Sequence, residues 1–209
     1  MPTTDFLATG ADARGVLDFW LEDAVTLGWP SRSLGELWFG GGSALDQEIG
    51  QRFGPLVHSA QSGGLSAWES SAMDRLALVI VIDQFSRNLF RGHGQAFAGD
   101  LRAQALVSDA LAQGWDQRLP LAGRLFLYMP LMHAESLALQ NECVRRFQSL
   151  LAAAPPERRT DLQGNLEFAR KHRDIIARFG RFPYRNAALD RANSDAEQVF
   201  LRDGPRFGQ

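Results

Sequence analysis

A chain of 209 residues with 45% hydrophobic and 22% charged residues has enough apolar content to bury a sizeable core, as one large domain or two tightly packed halves. A formal net charge of −2 gives no global attraction to nucleic acid or to an acidic membrane. Cys143 is the only cysteine, which excludes an internal disulfide and a cysteine-rich metal cluster. The opening MPTTDFLATGAD has neither a basic leader nor an apolar run, and the longest apolar run, Leu76 to Ile82, is far too short to span a bilayer. The expectation is a cytoplasmic protein. Lys171 is the only lysine among 22 basic residues. That bias reflects either genome composition or the use of planar guanidinium groups to recognise anions.

In chain order, Val16, Leu17, Phe19, Trp20 and Leu21 predict a helix over 13–24, broken by Gly28 and Pro30. Ser43 and Gly54 predict the cap and stop of a second helix over 43–53. A third begins near Ser70 or Ser71 and runs to about Phe90, ahead of Gly92. Its LVIVI segment, Leu78 to Ile82, has the β-branched content of a strand. It lies in some twenty residues without Gly or Pro, and no partner strand is evident, so a helix is expected. Asp100 is placed to cap a helix ending by Gly114. Pro120 opens the next, and Pro130 should kink or divide it. A helix over 136–153 ends at Pro155-Pro156. Thr160 with Gln163, and later Ser194 with Glu197, have capping-box spacing. They open helices that reach Phe179 and about Arg202. The tripeptide Arg-Phe-Gly recurs at 52–54, 178–180 and 206–208. The first two copies read as helix ends, and no fixed repeat period appears. The result is a single all-α domain over 1–209 with about eight to ten helices.

Three stretches carry chemistry. In DQFSRN, Asp83 and Arg87 continue the apolar face of Leu76, Val79 and Ile80. Both should be buried, and each then needs a partner. One reading is an internal i,i+4 pair. The other is a polar pocket lined by Asp83, Arg87 and Asn88. In YMPLMHAES, His133 shares a predicted face with Ser136, Leu137 and Gln140, while Glu135 lies elsewhere. His133 reads as a core histidine or as a general base or donor. The four histidines, at 58, 93, 133 and 172, have no paired ligand spacing, so no metal and no cofactor is expected.

The third stretch is ARKHRDIIARFGRFPYRNAALDR, with seven basic residues against Asp174 and Asp190. Asp174 and Arg178 are spaced as an i,i+4 pair. Gly180 and Pro183 turn the chain, Phe179 and Phe182 anchor the turn, and Arg181, Arg185 and Asn186 leave it. Rigid arginines beside backbone amides suit carboxylate or phosphate binding. The rival reading is that they cap helix carbonyls and pair with nearby acids.

Together with VLDFWLEDA and AFAGD, the stretches ALVIVIDQFSRNLFRG, FLYMPLMHAES and HRDIIARFGRFPYRN resemble a bacterial family known as domain of unknown function 924, over almost the whole chain. The resemblance implies an all-helical superhelix or array of antiparallel helix pairs, similar to tetratricopeptide folds. It implies no reaction. Ser86 stands where that family usually has proline, so the helix should run on there. Tyr184 stands where it usually has histidine, which argues against catalysis or metal binding at that position, since tyrosine does not replace imidazole near neutral pH.

The leading expectation is a binding module in which Asp83, Arg87, Asn88, His133, His172, Arg181, Arg185 and Asn186 line one polar pocket for an anionic small molecule or peptide carboxylate. One alternative is a hydrolase with His133 or His172 as base and Asp83 orienting it, although Ser86, Ser136 and Cys143 lack a nucleophile motif. The other is a scaffold without ligand. Nucleic acid is not an expected partner, because the basic run is short and lacks a reading motif.

Overall fold

A computed structural model describes residues 12–205 and, among them, ten α-helices and no strand. The segment before Asp12 and the third Arg-Phe-Gly lie outside the described residues. The described residues pack into two compact units. The first holds the chain up to Arg91 with Gln95–Leu127; the second holds Gly92–Gly94 and the chain from Tyr128 onward.

In the first unit, α1 (Ala13–Leu21) is capped by Asp12, whose carboxylate accepts the Gly15 N–H at 2.7 Å. It stops short of the expected Ala24, because Glu22 takes a positive φ of 49°; a separate turn, α2 (Ala24–Leu27), follows. Helix α3 (Ser43–Gln61) starts at Ser43 but with Gly42 in the cap position, and it runs straight through Gly54 and Pro55. Burial of Phe53, Leu56, Val57 and Ala60 outweighs the local cost of the Gly-Pro pair.

Ser71 caps α4 (Ala72–Ile80), its hydroxyl accepting the Asp74 N–H at 3.1 Å. The helical path then widens into a π turn, Val81–Phe85, and tightens again as α5 (Ser86–Leu89). LVIVI is therefore helical, and Leu76 through Ile82 are wholly buried. Helix α6 (Asp100–Ala112) begins with Gly99 as its cap; Asp100 is not a cap, and its side chain is used elsewhere. The core of this unit contains an aromatic cluster. Phe53 stacks on Phe85 at 4.9 Å between centroids, and Trp20 meets the edges of Phe85 and Phe126. Helix α7 (Leu121–Met132) contains Pro130 and ends two residues after it.

In the second unit, α8 (Leu137–Ala152) packs along α9 (Arg159–Phe179). Cys143, Val144, Phe147 and Leu150 on one helix, and Leu162, Leu166, Ala169, Ile175 and Ile176 on the other, supply the apolar faces. Thr160 and Gln163 make no capping box, because the turn Pro156–Arg158 brings the chain into α9 two residues earlier, with Arg158 in the cap position. Gly180, at φ 71°, ends α9 by donating its N–H to Ile176 O. The expected box at Ser194 and Glu197 does form and opens α10 (Asp195–Asp203).

Candidate functional site

In the first unit the π turn sets the polar geometry. A wider turn shifts which side chains face the core, and such turns recur at functional positions. Here it buries Asp83, Gln84 and, one turn later, Arg87. Arg87 Nη1 lies 3.1 Å from Asp83 Oδ1 and donates to the Asp83 carbonyl at 2.9 Å. Its Nη2 donates to both oxygens of Asp100 at 3.0 Å. Gln84 Nε2 donates to Asp83 Oδ2 at 2.6 Å. The expected buried Asp83–Arg87 pair is present, and Asp100 completes it. Ser86 donates its backbone N–H and its hydroxyl to Val81 O, so the helix continues where a proline would interrupt it.

Asn88 does not join this cluster. Its Nδ2 donates to Asp46 Oδ1 at 2.8 Å, and Arg91 grips the same carboxylate through Nε and Nη2, both at 2.9 Å. Burial pushes the Asp46 carboxyl upward, but Arg91 and Asn88 outweigh that and hold it below its ordinary value.

In the second unit the hub is Phe182, fully buried in the turn after α9. His172 meets its ring in a T-shaped arrangement at 5.7 Å, Tyr184 stacks on it at 5.2 Å, and the Arg185 guanidinium lies 4.5 Å from its centroid. The His133 and His172 rings are 6.3 Å apart. His172 Nδ1 is 2.8 Å from the Phe168 carbonyl. A carbonyl only accepts, so Nδ1 bears a hydrogen. His133 does not share a helical face with Gln140 as expected, because α7 ends before it. Gln140 instead closes the break, donating to Met132 O and Ala134 O at 2.6 and 2.8 Å.

Arg181 turns the other way, donating to both oxygens of Glu197 at 2.6 and 2.8 Å and to Ala192 O. Arg181 holds the Glu197 carboxyl down to about 2, against the effect of burial and with help from Ser194 and Asn186. Asn186 Nδ2 donates to Asn193 Oδ1 at 2.7 Å, while its own buried Oδ1 has no hydrogen-bond partner. Asp174 is held by the adjacent Arg173 rather than by Arg178, whose guanidinium lies over Phe179.

Sequence reasoning gave no role to Glu135. This carboxylate accepts the Phe182 N–H at 2.8 Å and a forked pair of bonds from Arg191 at 2.7 and 2.9 Å. Burial raises its pKa, but Arg191, the Phe182 amide and the nearby Arg185 charge reverse that, and the carboxyl lies below its usual range. The only signals in sequence were the HxE spacing with His133 and the arginine count, and neither names the pair.

Of the eight candidate residues, Asp83, Arg87 and Asn88 belong to the first unit and His133, His172, Arg181, Arg185 and Asn186 to the second. Within the second, His172 and Arg185 meet at Phe182 and His133 lies beside His172, while Arg181 and Asn186 face Glu197 and Asn193. Among the nucleophile candidates, Cys143 is fully buried, and burial pushes its thiol well above the ordinary range, so it holds no thiolate at neutral pH. Ser86 Oγ lies between Gln61 Nε2 and Val81 O. Ser136 sits in the cap position of α8 without a capping bond.

These features define an all-helical protein in which several of the buried polar groups form arginine–carboxylate clusters. The chain belongs to the DUF924 family, described as bacterial protein of unknown function, whose model matches residues 16–205. It is also similar to a solved structure, a protein of unknown function, ATU0120, from Agrobacterium tumefaciens. The two share 33% identity with a TM-score of 0.75, over 92% of this chain and 97% of that one. Comparison with curated proteins gives no match. No helix among the described residues is long and apolar enough to cross a membrane.

Proposed function

We propose that this chain is a cytoplasmic binding module for an anionic small molecule or a peptide carboxylate, taken in the second unit beside the turn at Phe182. One observation carries the reading: Arg185 and His172 both pack on the single buried Phe182 ring, and the His133 ring lies 6.3 Å from that of His172. A guanidinium that is 4% exposed acts in a low-dielectric setting, where its attraction for an anion exceeds that of a surface arginine. Phe182 fixes Arg185 and His172 in place, which lowers the entropy lost on binding. The tetratricopeptide-like arrangement implied by the family resemblance is one that commonly presents a groove to such ligands.

The scaffold reading has its own support, since Arg181 and Arg191 already hold Glu197 and Glu135. The hydrolase reading has less, because Asp83 is engaged by Arg87 and Gln84. Thermal shift of the full chain against phosphate, sulfate, nucleotides and carboxylates separates these readings. The binding reading expects saturable stabilisation by one anion. Arg185→Gln should weaken it by about 1.5–3 kcal/mol, the contribution of a charged hydrogen bond. A wild type indifferent to every anion leaves the scaffold.

A further inference from the structure

The carboxylate that the second unit already holds is its own. We propose that the Phe182 amide and the Arg191 guanidinium form a carboxylate seat, occupied here by Glu135 of the same chain, from which a free carboxylate ligand displaces it. This rests on the anion-binding reading only for the class of ligand.

The seat has the parts that carboxylate recognition needs. Arg191 Nη1 and Nη2 present a planar fork at 2.7 and 2.9 Å, and the Phe182 N–H adds a third donor at 2.8 Å, aimed at the same Oε1 that Nη2 holds. Two coplanar oxygens fit this arrangement. Arg191 is itself positioned from behind. Its N–H donates to Asn186 O at 2.8 Å, and Asp190 before it holds a left-handed φ of 51°, a conformation uncommon outside glycine. The seat is therefore fixed by the fold.

Its occupant is less constrained. Glu135 lies in the break between the end of α7 at Met132 and the start of α8 at Leu137, so it can leave without unwinding a helix. Both partners are open to water, with side-chain exposures of 26% for Glu135 and 24% for Arg191. Arg191 also has a buried Nε–H with no hydrogen-bond partner. Glu135 leaves that donor unused, and a ligand that meets the guanidinium side-on would take it. Such unmet buried donors are uncommon in folded proteins.

An attached competitor acts at high effective concentration, so a simple carboxylate should bind the wild type poorly. Removing the competitor opens the seat. In Glu135→Ala, acetate should raise the melting temperature saturably, with an apparent affinity about tenfold or more above that of the wild type. Acetamide and chloride at matched concentrations should not, and the effect should vanish in Glu135→Ala with Arg191→Ala. Glu135→Gln keeps an acceptor for the Phe182 amide but no charge, and should give a smaller acetate response. If Glu135→Ala unfolds in chloride, acetate-dependent folding by circular dichroism is the same evidence.

Flat responses to acetate in both single variants overturn the seat. A response of equal size to acetate and acetamide does so too. Acetate binding by Glu135→Ala with none by the wild type at any concentration overturns the displacement. A saturable acetate response in the wild type that Glu135→Ala strengthens and Arg185→Gln leaves unchanged keeps the seat and removes the site proposed above. A wild type that binds phosphate through Arg185, with Glu135→Ala and Glu135→Gln indifferent to acetate, does the reverse.

Discussion

Arg87 and Arg191 each bind both oxygens of a carboxylate, Arg87 through Nη2 alone and Arg191 through Nη1 and Nη2, yet the two pairs also differ in depth and in what holds them. Arg87 on α5 meets Asp100 on α6, at side-chain exposures of 9% and 12%, and also meets Asp83 one turn back. Arg191 and Glu135 both sit outside helices and are about a quarter exposed. The pairing of guanidinium with carboxylate is shared. Burial decides whether it is locked or exchangeable. Opening the Arg87 cluster strands charges in a low-dielectric core, whereas opening the Arg191 pair returns both groups to water. The same contrast explains why the first is organised by helix register and the second by turns.

The largest expected effect therefore falls on Arg87. Arg87→Ala strands Asp83 and Asp100 together and should destabilise the chain by about 3–5 kcal/mol in urea unfolding. Asp100→Asn leaves Arg87 its bonds to Asp83 and should cost less, about 1.5–3 kcal/mol. A cost below about 1 kcal/mol for Arg87→Ala would mean that the cluster behaves as a surface pair, and the contrast in depth would fail.

The parts of these clusters that were legible in sequence are the local ones. Asp83 and Arg87 lie one turn apart on a stripe of Leu76, Val79 and Ile80, and burial follows from that stripe. Ser194 with Glu197, and Gly180 after Phe179, announce caps within four residues. What sequence did not disclose needs a partner brought by the fold. Asp100 is 13 residues from Arg87, Asp46 is 42 from Asn88, and Glu135 is 56 from Arg191. The π turn at Val81–Phe85 also left no mark, because LVIVID reads the same in either helix. Gly54 and Thr160 misled in opposite senses. The first is carried through its helix by buried neighbours. The second has capping chemistry but lies one residue inside a helix that had already begun.

Arg191→Ala should cost less than Arg87→Ala, about 1.5–3 kcal/mol for the lost charged hydrogen bonds, because Glu135 keeps the Phe182 amide and gains water. Equal costs for the two substitutions, measured in parallel unfolding curves, would show that depth does not separate the clusters. Below this comes the backbone that aims the second cluster. Gly180 holds φ 71° with nothing within 4 Å of where a Cβ would lie. Gly180→Ala therefore meets no clash and should cost only the left-handed penalty, about 1–2 kcal/mol. A larger loss would mean that the turn carrying Phe182 and Arg185 shifts as a body, visible as a change in near-ultraviolet circular dichroism.

The smallest effect expected is the one that pH can isolate. Glu197 is depressed to about 2 in the folded chain, chiefly by Arg181 and despite burial, from an ordinary value of 4.5. A carboxyl lowered on folding stabilises fully above its unfolded value, and that contribution is lost as pH falls through the folded one. Glu197→Gln keeps a side-chain acceptor for the Ser194 N–H, so it removes the charge and spares the capping box. The Arg181 side of the pair is 32% exposed, so solvent screening limits the expected difference between wild type and variant to about 1 kcal/mol at pH 7. That difference should hold down to about pH 5 and shrink steadily between about pH 4.5 and 2. A difference that persists unchanged at pH 3 would assign the role of Glu197 to the shape of the cap. One that is absent at pH 7 would place the Arg181 fork among ordinary surface pairs, and leave the Arg191 fork as the exchangeable member of the comparison.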